Sequence, residues 1–167
     1  MRIFLIATLL ISFFVACNNK PTGKVEREGE PTIYGVEGDD VEMNQAIHKA
    51  TQSLPSFDSA LKSGNPTYES FALKARFDTE DGAEHIWVRD ISLKGGKYLG
   101  VVDNLPNSTK EVRVGDTIEV AKSRISDWMF IENGFLHGGY TMRVLRARMR
   151  ETERKAFDTE KGIIIRD

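Results

Sequence analysis

The chain has 167 residues, 40% hydrophobic and 29% charged, which suits one ordinary globular domain large enough to bury a core. A net charge of −2 gives no global field that would recruit nucleic acid or anionic lipid. The single cysteine, Cys17, excludes an internal disulfide framework and any multi-cysteine zinc site.

Met1-Arg2 is a short basic start, and Ile3 to Ala16 is an unbroken apolar run ending at Cys17 and the polar Asn18-Asn19-Lys20. That run falls short of the about 20 apolar residues a membrane-spanning helix needs, and its layout is that of a secretory signal. Phe14-Val15-Ala16-Cys17 resembles the lipobox of bacterial lipoproteins. The resemblance implies cleavage after residue 16 and acylation of Cys17. Each buried acyl CH₂ contributes about 0.8 kcal/mol, so more than one chain is needed for stable anchoring. The expectation is a protein anchored to a membrane, not spanning it. Residues 17–39 are polar and rich in Gly, Pro and Glu, and read as a flexible tether.

Asp40 is an N-cap candidate for a helix carrying Met43, Ala46, Ile47, Ala50 and Leu54 on one face. Pro55 is expected to end or kink it, with Ser56 capping a short continuation through Phe57, Ala60 and Leu61. Alternation then begins. Phe71, Leu73, Ala75 and Phe77 share one face of a strand, and Ala72, Lys74 and Arg76 the other. Thr79-Glu80-Asp81-Gly82 is a turn and Ala83–Ile91 the return strand. Pairing Asp78 with Ala83 sets Ala75 opposite Ile86 and Leu73 opposite Val88, toward the core. His85, Trp87 and Arg89 then join Lys74 and Arg76 on the wetter face, with Trp87 in reach of a cation.

Lys94-Gly95-Gly96-Lys97 forms the next hairpin, Lys97 to Asp103 a third strand and Thr117 to Val120 a short one. Asn133-Gly134 between apolar runs is a strong hairpin signal. It pairs Ile131 with Leu136, Phe130 with His137 and Met129 with Gly138, and it sets Asp127 across from Tyr140. Gly138 and Gly139 leave room for large neighbouring side chains. Thr141 caps a C-terminal helix with Met142, Leu145 and Met149 inward, and the basic run Arg143 to Lys155 reads as a solvated face or one leaning toward anionic headgroups. The architecture is α+β: a single domain over 40–158, with about six mostly antiparallel strands in a curled meander sheet, an N-terminal and a C-terminal helix, and a tail over 159–167.

The motifs Glu84–Val88 (EHIWV), Asp127–Thr141 (DWMFIENGFLHGGYT) and Arg143–Leu145 (RVL) resemble the bacterial family of domain of unknown function 2314, whose members are called YegJ-like. The resemblance spans about Val41 to Met149. It implies a bacterial origin and transfers no catalytic residue.

No nucleophile motif is present, and no metal-ligand spacing joins Glu84, His85, Asp127 and His137. No cofactor, metal or nucleic acid is expected. Gly138-Gly139-Tyr140-Thr141 entering a helix is a candidate anion site. The ligand-binding candidates are Trp87, Arg89, Lys74, Arg76 and His85, because Trp and Arg are enriched in binding hot spots. The expected function is that of a lipid-anchored envelope protein binding a protein, peptide or anionic envelope component. The alternatives are a small hydrolase or transferase using Glu84, His85 and Asp127, and a structural accessory subunit.

Overall fold

The computed structural model describes residues 24–27, 30–34, 38, 40–80 and 82–166. The signal segment and Cys17 lie outside the described residues. Within the expected tether, β1 (Lys24–Arg27) and β2 (Glu30–Tyr34) form a two-stranded antiparallel ladder pairing Val25 with Ile33.

Helix α1 (Val41–Ser63) starts on Asp40, whose carboxylate accepts from the Met43 N–H at 3.0 Å, and ends on Gly64 in the left-handed region. Pro55 does not stop it. A mid-helix proline costs about 3 kcal/mol, but the buried stripe of Met43, Ala46, Ala50 and Leu54 continues through Phe57 and Ala60. Phe57 is fully buried, with its ring against those of Phe71, Tyr98 and Trp128. Burying Leu54 and Phe57 contributes about 1.5–3 kcal/mol each, enough to offset the proline.

The six-stranded antiparallel sheet has the order β6-β5-β4-β3-β7-β8. Its strands are β3 (Tyr68–Thr79), β4 (Gly82–Lys94), β5 (Lys97–Val102), β6 (Thr117–Val120), β7 (Ile125–Glu132) and β8 (Phe135–Gly138). The β3–β4 register is the expected one: Asp78 opposes Ala83, Ala75 opposes Ile86 and Lys74 opposes Trp87. The β7–β8 hairpin also holds, with Phe130 opposite His137 and Ile131 opposite Leu136. The meander is broken once. After β6 the chain passes through a 3₁₀ turn (Lys122–Arg124) and crosses back, so β7 lies beside β3.

The α1 face of the sheet carries the main core, including Leu73, Ala75, Phe77, Ile86, Val88, Tyr98, Trp128 and Phe130. Trp128 ties sheet to helix, its indole N–H donating to the Ala50 carbonyl at 2.9 Å. A second, smaller apolar cluster gathers Ile131, Leu136, Met142 and Ile165, with Trp87, Met129, Phe157 and Ile163 packed against it.

The expected single C-terminal helix is two: α2 (Tyr140–Arg148) and α3 (Glu151–Lys161). Met149 and Arg150 are extended, and the Glu153 carboxylate accepts the Arg150 N–H in a capping box that restarts the helix. Arg146 then grips Asp158 through two contacts of 2.8 and 2.9 Å, holding α3 against α2. The segment after α3 docks: Ile164 makes a parallel bridge to Phe135, and Ile165 is buried.

Candidate functional site

The face of the sheet opposite α1 carries Lys74 and Arg76 from β3 and His85, Trp87 and Arg89 from β4. Lys74 pairs with Trp87, Arg76 with His85 and Ala72 with Arg89. A β-bulge on β7 adds to them. Lys74 pairs with Asp127 while its neighbour Ala75 pairs with Ile125, so Ser126 is an extra residue in the ladder. A bulge breaks the strict alternation of side chains and re-aims them. The Ser126 hydroxyl accordingly meets His85 Nδ1 at 2.7 Å and the Lys74 carbonyl at 3.1 Å.

Asp127 is completely buried and accepts four hydrogen bonds. They come from the N–H groups of Trp128 (2.8 Å), Tyr140 (3.1 Å) and Thr141 (2.8 Å), and from the Thr141 hydroxyl (2.7 Å). Four donors aimed at one side chain are what a carboxylate requires. The Lys74 ammonium donates to Thr141 Oγ1 at 3.2 Å, completing a chain from Lys74 through Thr141 to Asp127. Burial pushes the Asp127 carboxyl above its ordinary range, opposed by the Thr141 hydrogen bonds and by Lys74. Burial likewise pulls Lys74 down, and Asp127 opposes that. His85 falls to about 4, mainly through burial and then through the positive charges of Lys74 and Arg76.

This arrangement settles the place of several expected site residues. The anion expected at Gly138–Thr141 is supplied by the chain itself, because Asp127 takes the free N–H groups of Tyr140 and Thr141 at the start of α2. Thr141 is therefore not the cap. Gly139 holds that position, and Asp127 caps the helix from across the hairpin. Gly138 has φ +72°, and a Cβ there would come within 2.2 Å of the Trp128 carbonyl, so its role is close packing.

Glu84, His85 and Asp127 do not converge. The Glu84 carboxylate accepts the N–H groups of Asn107, Ser108 and Thr109 at 2.7–2.9 Å, and so orders the loop between β5 and β6. His85 turns to Ser126, and Asp127 to α2. Thr141, beside Lys74, is only 2% exposed, so that pair offers no hydroxyl to an incoming substrate. Among the described residues, no group of three or more His, Cys, Asp or Glu could hold a metal ion. His48 is exposed on α1, and His137 stacks on Phe130 and pairs with Glu132.

Trp87 sits at the border of the small apolar cluster on this face. Its indole is half-buried, with the Lys74 ammonium 5.5 Å from the ring centroid. The backbone is pinned on both sides: the Trp87 N–H donates to Asn104 Oδ1 at 2.8 Å, and the Trp87 carbonyl accepts the Asp103 N–H at 2.9 Å. Arg89 is half-exposed and pairs with Asp103 at 3.0 Å and with Asp90. Arg76 pairs with Asp78 at 3.0 Å on the surface.

The basic run is a solvated face only in part: Arg150 and Lys155 are exposed, while Arg143, Arg146 and Arg148 are engaged within the fold. Arg143 Nε and Nη2 donate to the carbonyls of Gly138 and Leu136, and Nη1 to that of Arg166. Arg148 reaches back to α1, contacting Asp40 at 2.5 and 2.8 Å and Glu42 at 2.7 Å. The Arg148 guanidinium holds the Asp40 carboxyl down at about 2. Sequence reading missed Ser126, the Lys74–Thr141–Asp127 chain and Arg143. The available signal was Asp127 itself, a carboxylate leading directly into the apolar run Trp128–Ile131, which must find donors when buried.

Fold and site together define a small α+β domain: an open antiparallel sheet, one long helix on the first face, and a tryptophan among paired cations on the second. Residues 40–164 match the family described as "Uncharacterized protein conserved in bacteria (DUF2314)", and the chain belongs to that family. It is 36% identical over 143 residues to the "Putative ankyrin repeat protein" of Neisseria meningitidis serogroup B, covering 81% of this chain and 56% of that one. It is 30% identical over 100 residues to the "Uncharacterized protein YegJ" of Escherichia coli K12, covering 60% of this chain and 64% of that one. The chain thus spans less than two thirds of the length of either relative. No solved structure matches it.

Proposed function

We propose that this chain is a lipid-anchored bacterial envelope protein, acylated at Cys17, whose domain binds a protein or peptide partner around Trp87. The observation that carries the reading is the half-buried Trp87 indole, with Lys74 over its ring and Arg89 beside it. Trp and Arg dominate binding energy where a pinned backbone presents them. The nearby cations already have carboxylate partners in Asp78, Asp90, Asp103 and Asp127. A surface of that balance favours a mixed polypeptide partner over an anionic headgroup. The anchor rests on the Phe14–Cys17 motif.

Two measurements test this. Labelled palmitate is expected to enter the wild-type chain and not Cys17→Ser, which should leave the membrane fraction. Crosslinking in intact envelopes is expected to trap a defined partner with the wild type and to lose it with Trp87→Ala. That variant should lose only about 1–2 kcal/mol of stability, below the usual cost for a fully buried Trp, because the ring is half in water. Unchanged capture by a folded Trp87→Ala protein would overturn the binding reading and leave a structural accessory role.

A further inference from the structure

A second surface, which meets Trp87 through the small apolar cluster, lies along β8. The outer edge of that strand is occupied by the chain's own C-terminal segment in parallel register: the Ile164 N–H donates to the Gly134 carbonyl at 2.7 Å, and the Leu136 N–H donates to the Ile164 carbonyl at 2.9 Å. Ile165 is buried in the small apolar cluster with Ile131, Leu136 and Met142, and Ile163 packs against it. Ile164, between them, is 52% exposed. The Arg143 guanidinium fastens the end by donating to the Arg166 carbonyl, while Arg166 lies 3.6 Å over the Phe135 ring. The segment leaves α3 through Gly162, which has φ +61°.

We infer that the β8 edge is a strand-binding site held closed by residues 163–166, and that its external occupant is an extended peptide from another polypeptide, parallel to β8, with aliphatic residues flanking one exposed position and a cation after them. The tail displays that chemistry. Alternate side chains fill a slot while main-chain groups supply the hydrogen bonds, which is how strand addition obtains both affinity and specificity. The cis occupant is held by two backbone bonds, one buried side chain and a carbonyl clasp beyond a glycine, the profile of a segment that opens locally. Leaving the edge bare would expose unpaired backbone groups, so a displaceable cover protects it until a competitor arrives.

The test uses the full-length chain and a labelled peptide of its own residues 161–167, KGIIIRD. Ile165→Asp cannot refill the slot, and Ile164→Pro removes the donor to Gly134. Both variants should bind the peptide saturably and about tenfold or more tighter than the wild type, whose tethered tail competes at high effective concentration. A peptide with Asp at the third isoleucine should not bind. No binding by the folded variants, or equal binding by the wild type, would overturn the proposal. A wild-type dimer with exchanged tails in sedimentation would also overturn it, by making a second copy the occupant. If both variants fail to fold, amide exchange on the wild type decides. Leu136 and Ile164 should exchange together through a local opening; exchange only with global unfolding would make the tail plain core.

Discussion

The two tryptophans lie on the strands that flank β3 on either side and have opposite fates. Trp128 is 4% exposed, stacks on Phe130 and donates its indole N–H to α1. Trp87 faces the other way, half in water, and among the described residues its indole N–H has no hydrogen-bond partner. Parity alone separates them, since side chains alternate across a strand. The difference teaches that this fold spends one aromatic on cohesion and leaves another available. A buried indole needs its N–H satisfied, and one that is half in water can satisfy it elsewhere.

The largest effect expected is therefore from Trp128→Ala, which empties the contact between Ala50, Phe57 and Phe130. It should cost about 3–5 kcal/mol in urea unfolding, at least twice the loss for Trp87→Ala. Equal losses would erase the distinction between the faces. Next comes Asp127→Ala. It strips the cap from α2 and leaves the Lys74 ammonium buried without its counter-charge. Removing one partner of a buried pair costs about 3–5 kcal/mol. Adding Lys74→Met to Asp127→Ala should recover part of that loss, and no recovery would show that the pair is not coupled through Thr141.

Much of this was legible in the sequence, for physical reasons. The β3–β4 register follows because only one pairing places Ala75 on Ile86 and Leu73 on Val88 together, and a one-residue slip would expose the whole set. The β7–β8 hairpin follows because Asn133 and Gly134 accept the positive φ that a tight turn imposes. The bulge at Ser126 was not legible, because a single extra residue leaves the hydrophobic pattern nearly unchanged. Similar irregularities accompany Ser70 and Asp90, both at positive φ where their strands shift register. The persistence of α1 through Pro55 depends on tertiary burial of Phe57, which outweighs a local rule. The contact of Arg148 with Asp40 joins residues 108 positions apart, a separation that no local pattern encodes. The cation cluster around Trp87 could be read as a face, while its pairing with Asp103 and Asp90 required the fold.

His85 sharpens the comparison through pH. Its folded pKa, about 4, lies below the ordinary 6.5, so between those values the unfolded chain binds a proton that the folded chain refuses. The resulting stability is present above about pH 6.5 and declines as pH falls toward 4. His85→Gln should flatten that limb of a urea-midpoint titration while leaving neutral behaviour nearly unchanged. A limb unaffected by the substitution would mean that acid sensitivity arises in the carboxylates.

The smallest effect should come from Arg89→Ala, and its smallness is the informative part. Arg89 is half-exposed, and its partners Asp90 and Asp103 are as wet as it is. Exposed pairs of this kind contribute about 0–1 kcal/mol, and less in salt. Thermal unfolding of Arg89→Ala should therefore shift hardly at all. If crosslinking to the Trp87 partner falls nevertheless, the guanidinium acts across an interface and not within the fold. If stability falls as far as it does for Trp128→Ala, the supposedly free face is holding the sheet together, and the contrast between the two tryptophans collapses.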